Sequence, residues 1–362
     1  MARDISIGER KIGESHPTYI IAEIGSNLDG DLDRAKKLAL KCKEAGADAY
    51  KIQNFLAPKI VSNEGFKGLQ VAFQSKWDKP VVEVYKKAEF PREWVKELAD
   101  YCKEIGIDFI SSPYDTDAVD LLEEIGVDAH KIGSGEIDNL EFLAYVAKTG
   151  KPVILGVGAA TMDEVRAAVT AIRETGNENI VVLQCVTNYP APIADTNLRA
   201  MVSIGKECDI LYGFSDHTIG PDQRGDDPLC GITVPIGAVA LGACVIEKHV
   251  TDDPSRTGPD HPFAMKIDGN FNDMCAGVRA VERALGDGTK RLMSSETETV
   301  IIQRRGIYSI RALKKGETIT REELELLRPA VGLKPRDLSR VVGKTAARDI
   351  AAGAPLIDND IS

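Results

Sequence analysis

Over the first 285 residues, short apolar runs alternate with longer stretches in which apolar residues recur every three or four positions. The short runs predict β-strands, and the spacing of the longer stretches predicts amphipathic helices such as 32–46, 116–126 and 161–176. Several of these stretches end in glycine, the residue that most often follows a helix C-terminus. The predicted strands are YIIAEIG (19–25), DAYKIQNF (48–55), IDFISSP (107–113), AHKIGSG (129–135), PVILGVG (152–158), NIVVLQC (179–185), DILYGFS (209–215) and CVIEKHV (244–250).

Eight strand–helix units within about 250 residues predict an α/β fold, a (β/α)₈ TIM barrel over residues 1–285. The alternative is an open doubly wound sheet, but no G-x-G-x-x-G motif follows the first predicted strand. Residues 1–18 predict a β-hairpin ahead of the barrel. The long connection over residues 56–91 is predicted to cover a substrate site.

The last quarter of the chain has a different pattern. Residues 286–303 are polar and lack a core period, so they predict a linker. Residues 304–362 hold only short apolar segments, which predict a small, compact β-rich domain.

Composition and charge argue against a membrane-spanning, secreted or nucleic-acid-binding protein. The longest apolar run, residues 232–246, contains a proline and is too short to cross a bilayer. The N-terminus lacks an apolar signal core, and the seven cysteines form no C-x-x-C pair, which predicts reduced thiols in a cytoplasmic protein. The net charge of −11 argues against nucleic-acid binding.

Charge is distributed unevenly along the chain. Residues 304–362 carry 12 basic and 8 acidic side chains, a net +4, whereas residues 1–303 carry 33 and 48, a net −15. A basic tail domain on an acidic body predicts that the two meet, within one chain or between chains.

Polar side chains at the ends of the predicted strands form the candidate site, because TIM-barrel enzymes have their active sites at the carboxyl ends of their strands. Lys51 and Lys131 interrupt otherwise apolar runs. They are either neutralised by Glu23 or Glu136, or they bind a phosphate together with nearby serines. A Schiff-base lysine is the competing functional interpretation.

Two of the five histidines end predicted strands, and each follows a polar residue two positions earlier. Because alternate residues of a strand share a face, His217 would lie beside Ser215 and His249 beside Glu247. Two imidazoles with a nearby carboxylate suit Mn²⁺ or a similar ion with open coordination positions. The alternative is that both histidines merely cap strands.

Seven motifs taken together resemble the sialic acid synthase family, and residues 304–362 resemble its antifreeze-like (SAF) domain. The motifs are AEIGSNLDGD (22–31), YKIQNF (50–55), KIGSGE (131–136), CVTNYPAP (185–192), GFSDHT (213–218), EKHVT (247–251) and GPDHPFAM (258–265). The resemblance runs nearly end to end with the motifs in the same order. It implies a metal-dependent condensation of phosphoenolpyruvate with the aldehyde of an N-acylated amino sugar, giving a nine-carbon 2-keto-3-deoxy acid and phosphate.

The resemblance also implies roles for residues. His217 and His249 would ligate a divalent metal, Mn²⁺ first and Mg²⁺ or Co²⁺ as alternatives, and Glu23, Lys51, Lys131 and His217 would be catalytic. The sugar would be N-acetylmannosamine or a diacetamido-trideoxy hexose. The residues predicted to bind substrate are Gln53, Ser134, Glu136, Thr187, Asn188, Tyr189, Ser215, Asp260 and Arg328.

An arginine before a proline, Arg328, would reach the N-acyl group of substrate in a partner barrel, which implies a homodimer with exchanged tail domains.

Two departures from the family pattern stand out: Leu28 replaces a histidine, and residues 156–159 read G-V-G-A instead of S-T-G-M. The second change removes a hydroxyl near the phosphate. A Schiff-base aldolase and a non-catalytic sugar-binding relative remain the alternative functions.

Overall fold

The structure is a computed structural model that describes residues 3–67, 69, 79–219 and 229–362. It begins with an antiparallel hairpin, β1 (Ile5–Ile7) and β2 (Arg10–Ile12). Eight parallel strands follow in one sheet. They are β3 (Tyr19–Glu23), β4 (Ala49–Asn54), β5 (Asp108–Pro113), β6 (His130–Ile132), β7 (Val153–Gly156), β8 (Ile180–Cys185), β9 (Leu211–Asp216) and β10 (Val245–Thr251).

The sheet closes on itself because β10 pairs with both β3 and β9. Glu23 lies opposite His249 in the first of these pairings, and Ser215 lies opposite Glu247 in the second. The predicted TIM barrel is therefore confirmed, and its strands fall within one or two residues of the predicted starts. A two-residue strand, β11 (Met265–Lys266), pairs in parallel with the last two residues of β10.

Helices follow the strands and bury their apolar face against them. They are α1 (Leu32–Glu44), α2 (Ala57–Ile60), α3 (Asn63–Phe66), α4 (Val81–Ala88), α5 (Arg92–Ile105), α6 (Thr116–Ile125), α7 (Leu140–Ala147), α8 (Met162–Arg173), α9 (Leu198–Cys208), α10 (Cys230–Ala240) and α11 (Asn272–Leu285). Local sequence explains several ends. Thr161 and Glu164 form a reciprocal capping box at the start of α8. Gly126 ends α6 in the left-handed conformation that glycine adopts at no steric cost.

The hairpin fills the amino-terminal end of the barrel. Ile5, Ile7 and Ile12 are buried and cluster with inward-facing residues of the strands, among them Ile21 and Ile154. This apolar plug leaves the carboxyl ends of the strands as the accessible end.

The chain divides into two compact units, residues 1–286 and 287–362. The second unit contains β12 (Gly306–Ser309) paired with β13 (Leu324–Leu327), and a short helix α13 (Leu338–Val341). Its own core includes Ile307, Leu313 and Leu356. Part of the predicted linker is helical, as α12 (Thr297–Gln303). Among the described residues, no helix is long and apolar enough to span a membrane.

Candidate active site

A cavity of about 450 Å³ lies at the carboxyl ends of the barrel strands, within the size range of small-molecule sites. All but two of the residues predicted to form the site line it. They are Glu23, Lys51, Gln53, Lys131, Ser134, Glu136, Thr187, Tyr189, Ser215, His217, His249 and Asp260. Asn188 is exposed and lies outside this lining, and Arg328 is an exposed residue of the second unit.

Glu247, at the bottom of the cavity, forms ion pairs with both active-site lysines. Lys131 Nζ lies 3.3 Å from one carboxylate oxygen of Glu247 and Lys51 Nζ lies 3.6 Å from the other. The Ser215 hydroxyl donates to the first oxygen over 2.8 Å. Burial alone would raise the pKa of Glu247, but Lys131 and Lys51 outweigh it and lower that pKa to about 2. Glu247 therefore contacts both lysines, and through the Ser215 hydroxyl, which lies 3.4 Å from His217 Nε2, it also stays near the histidines as predicted.

Glu23 has a different electrostatic environment. It forms an ion pair with Lys51, which lies opposite it in the β3–β4 register, and it accepts a 2.9 Å hydrogen bond from Gln53. Complete burial nevertheless raises the pKa of Glu23 above its ordinary value, and Lys51 opposes that shift without reversing it. The two buried carboxyl groups thus have pKa values moved in opposite directions, a pattern typical of acid–base sites.

The two lysines are not equivalent. Lys51 contacts Glu23 and Glu247 and donates to the Ser112 hydroxyl over 3.1 Å, so three partners surround its three N–H groups. Lys131 pairs with Glu247 alone among the residues that the structure describes, so neither Glu23 nor Glu136, the two partners considered as alternatives, neutralises it. Lys131 therefore keeps donors for a ligand.

Ser134 lies beside Lys131, at the start of the 3₁₀ turn Ser134–Glu136. Its hydroxyl accepts a 2.9 Å hydrogen bond from the backbone N–H of Gly158 and lies 3.1 Å from the Cys185 sulfur. A lysine, a serine hydroxyl and adjacent glycine backbone form the kind of surface that binds phosphate oxygens.

The departures from the family pattern have structural explanations. A Cβ placed on Gly156 would lie 2.9 Å from the Ser134 hydroxyl, and Val157, in place of the family's threonine, is buried in a hydrophobic cluster. Gly156 thus allows the backbone to approach the Ser134 hydroxyl closely, and Val157 contributes to packing. Leu28 is buried in the hydrophobic core, so its replacement of a histidine affects packing and not the cavity wall.

The two histidines face each other with ring centroids 5.4 Å apart. His217 donates from Nδ1 to the Val186 carbonyl over 2.7 Å, which leaves the lone pair on Nε2. The Nδ1 atom of His249 is buried without a hydrogen-bond partner. Burial lowers the pKa of His217 to about 4 and that of His249 well below its ordinary value, so both rings are neutral at pH 7.

A divalent metal requires neutral imidazoles with a lone pair to give, and although His217 Nε2 lies 3.4 Å from the Ser215 oxygen, that hydroxyl donates its proton to Glu247. Within the described part of the chain, no group of three or more His, Cys, Asp or Glu side chains is arranged to hold an ion. The pair therefore fits a metal that takes its remaining ligands from water and substrate.

Aromatic rings enclose the rest of the cavity. Tyr189 and Phe263 pack against the histidines, with Tyr189 4.3 Å from the His217 ring and Phe263 5.1 Å from the His249 ring, centroid to centroid. Across the cavity Phe55 contacts both Tyr85 and Tyr114 edge to face. These rings exclude water from the floor of the site.

Helix α4 contributes a largely apolar part of the wall. Its residues Val84, Tyr85 and Ala88 line the cavity at the spacing of one helix face, while Lys86 and Lys87 are exposed. The sequence predicted that residues 56–91 cover the site but did not identify these side chains. The spacing of apolar residues in VVEVYKKA is the signal that could have done so.

Asp260 enters from a loop beyond β10. Its carboxylate accepts a 2.8 Å hydrogen bond from the backbone N–H of Ser26. Gly25 makes this possible, since its φ is +52° and a Cβ there would lie 2.2 Å from the Asp260 oxygen. Burial raises the pKa of Asp260.

Comparison with known proteins identifies the family. A model of the NeuB family matches residues 38–290, and a model of the SAF domain matches residues 304–362. The chain belongs to the NeuB family. The resemblance to sialic acid synthases and their SAF domain is therefore confirmed.

Relatives of this NeuB-family chain match it over almost its whole length. The N,N'-diacetyllegionaminic acid synthase of Campylobacter jejuni is 36% identical, covering 92% of this chain and 96% of that enzyme. The N-acetylneuraminate-9-phosphate synthase of Homo sapiens is 34% identical, covering 97% and 95% of the two chains. The sialic acid synthetase of Leptospira borgpetersenii, solved with citrate, superposes with a TM-score of 0.71 at 30% identity, covering 83% and 96%. The prediction of a sialic acid synthase-type enzyme is thereby confirmed.

Proposed function

We propose that the cavity condenses phosphoenolpyruvate with the open-chain aldehyde of an N-acylated amino sugar, with a divalent metal held by His217 and His249. The observation that carries the proposal is the combination, in one cavity, of two neutral histidines, an incompletely paired lysine and two carboxyl groups of opposite pKa shift. Each of these meets one requirement of the reaction.

The anionic substrate is bound by the residues of the floor. Lys131 and Ser134 hold the phosphate, and Lys51 contributes positive charge that burial in an apolar barrel makes effective. Without these groups the acidic barrel unit would repel phosphoenolpyruvate.

The carbon–carbon bond forms between C3 of the enol ether and the aldehyde carbon. A metal such as Mn²⁺, when bound, supplies Lewis acidity toward the aldehyde oxygen. Positive charge then develops at C2 of the enol ether, and the Glu23 carboxylate stabilises it and takes the proton of the water that adds there. The proton on Glu23 then passes to the alkoxide left at the former aldehyde carbon. The C2 hydroxyl gives its proton to the departing phosphate, and loss of inorganic phosphate leaves the ketone of a 2-keto-3-deoxy acid.

The wall of the cavity favours one class of sugar. Val84, Ala88, Ile60 and Phe55 offer methyl and ring carbons in place of hydrogen-bonding groups. Such a surface suits the methyl groups of a diacetamido-trideoxy hexose better than the additional hydroxyls of N-acetylmannosamine, because a buried hydroxyl without a partner is costly. We therefore infer a diacetamido-trideoxy hexose as the substrate.

Electrostatics disfavours the Schiff-base alternative at Lys51. Such a lysine must lose its proton to attack a carbonyl. Burial alone would lower the pKa of Lys51, but Glu23 and Glu247 outweigh it and raise that pKa. Lys51 is thus held as a cation.

The second unit suits a role in a homodimer. Arg328 is exposed directly after β13, and Ile301, Ile302 and Val331 are 51%, 57% and 44% exposed in the single chain. Exposed apolar side chains and a net charge opposite to that of the rest of the chain support docking of this unit on a second copy. There Arg328 would donate to the N-acyl carbonyl of the sugar.

The test is a panel of N-acetylmannosamine and diacetamido-trideoxy hexoses with phosphoenolpyruvate and Mn²⁺, monitored by phosphate release. We expect release with a diacetamido sugar, loss of release with EDTA, and its return with Mn²⁺. Sugar binding without phosphate release for any member would instead support a non-catalytic sugar-binding protein. Activity that resists EDTA and is trapped by borohydride would support the aldolase.

A further inference from the structure

A buried ion pair lies directly behind the two histidines. Lys248 stands between Glu247 and His249 in β10, and since alternate side chains of a strand face opposite ways, it points away from the cavity. Its side chain is 1% exposed and that of its partner Asp216 is 0% exposed. A lysine so fully buried is rare in folded proteins and requires a close partner.

The pair joins the chain on both sides of His217. Lys248 Nζ lies 2.7 Å from the Asp216 carboxylate and donates to the Thr218 carbonyl over 2.5 Å. Asp216 in turn accepts from the Thr218 backbone N–H over 3.0 Å and from its hydroxyl over 2.9 Å. The residues before and after His217 are thus fixed to the residue that precedes His249.

The ion pair between Lys248 and Asp216 lies at the end of the hydrogen-bond ladder between β9 and β10. Lys248 and Asp216 are the last paired residues of β9 and β10, and both histidines come one residue further along the chain. Beyond that point ladder hydrogen bonds no longer fix the distance between the two strands. The ion pair with its Thr218 bonds takes over that constraint.

We propose that Lys248 and Asp216 are positioning residues that set the separation and orientation of His217 and His249, and so determine the affinity of the site for a divalent metal. The inference rests on the proposed metal site. The residues that contact the two active-site lysines are left in place, because Glu247 and Ser215 are directed to the opposite face of their strands from Lys248 and Asp216.

The test measures Mn²⁺ binding to the full-length protein from the electron paramagnetic resonance signal of free Mn²⁺. A single substitution leaves an unpaired buried charge and can unfold the chain, so the main variant is Lys248→Met with Asp216→Asn, which removes both charges at similar volume. The control is Arg279→Met, which removes an ion pair near the starts of the strands and leaves Asp48 its second partner, Arg10.

We expect the double variant to bind Mn²⁺ roughly tenfold or more weakly, the effect typical of losing groups that orient metal ligands. Its KM for phosphoenolpyruvate should stay within about twofold of wild type, and excess Mn²⁺ should restore its turnover. The Arg279→Met control should keep wild-type Mn²⁺ affinity.

Two results would overturn the inference. One is an unchanged Mn²⁺ affinity in the double variant; the other is a loss of phosphoenolpyruvate affinity in parallel that excess Mn²⁺ does not restore, which indicates general damage to the fold. If the wild-type chain shows no Mn²⁺ binding that His217→Ala removes, the proposed metal site itself is wrong and the inference fails with it.

Discussion

At the scale of single residues, the two active-site lysines carry the same charge but differ in their partners. Lys51 is surrounded by Glu23, Glu247 and Ser112, whereas Lys131 keeps donors for a ligand. Lys131→Ala should therefore raise the KM for phosphoenolpyruvate roughly tenfold or more, because a charge-assisted bond to phosphate contributes about 1.5–3 kcal/mol. Lys51→Ala should mainly lower kcat through its effect on Glu23. Steady-state kinetics with phosphoenolpyruvate varied would separate the two, and equal KM values in both variants would contradict the assignment.

Glu23 should determine the acid limb of the pH profile. Its pKa is raised above the ordinary value of 4.5, so the carboxylate takes up a proton, and activity falls, while the pH is still above that value. Burial lowers the pKa of His217 to about 4, which places its protonation at lower pH. Glu23→Gln should reduce kcat by roughly a hundredfold or more and remove this limb from the residual activity. A limb that persists unchanged in the variant would assign it to another group.

At the scale of elements, helix α4 is the part of the fold that we expect to select the sugar. Val84→Thr adds one hydroxyl to the cavity wall at nearly constant volume, and a buried hydroxyl without a partner costs about 1–3 kcal/mol. We predict a roughly tenfold loss in kcat/KM for the diacetamido-trideoxy hexose and a smaller loss, or a gain, for N-acetylmannosamine. Val82→Thr makes the same change outside the cavity lining and serves as the control. Equal effects of both substitutions on both sugars would rule out selection by this face.

The elements also show how far sequence reasoning reached. The barrel strands are predictable because each is an apolar run bounded by turn residues, and a pairing of Lys51 with Glu23 is one of the possibilities that the sequence leaves open. The pairing of Lys131 with Glu247 was not predicted, because Glu247 lies on β10 and contacts Lys131 on β6 across the barrel interior. Contacts between strands that do not pair depend on barrel closure and side-chain length, which local patterns do not encode.

At the scale of the whole molecule, the proposed homodimer with exchanged tail domains can be tested by complementation. His217→Ala chains lack a proposed metal ligand and Arg328→Ala chains lack the proposed N-acyl contact. In a mixed dimer, one barrel keeps His217 and receives Arg328 from the partner, so one of its two sites is complete. Random pairing makes about half of the dimers mixed, so the mixture should recover up to about a quarter of wild-type activity. Activity that stays at the sum of the separate variants, or a fully active monomer in sedimentation, would contradict the exchange.

The central claim is that phosphate leaves from C2 of phosphoenolpyruvate only after the sugar has been joined to C3. The most direct measurement uses phosphoenolpyruvate labelled with oxygen-18 at the bridging position, with sugar and Mn²⁺, and follows the released phosphate by phosphorus NMR. We expect labelled phosphate in an amount equal to the sugar consumed, because the bond between C2 and the bridging oxygen breaks. Unlabelled phosphate, or phosphate released without sugar, would contradict it.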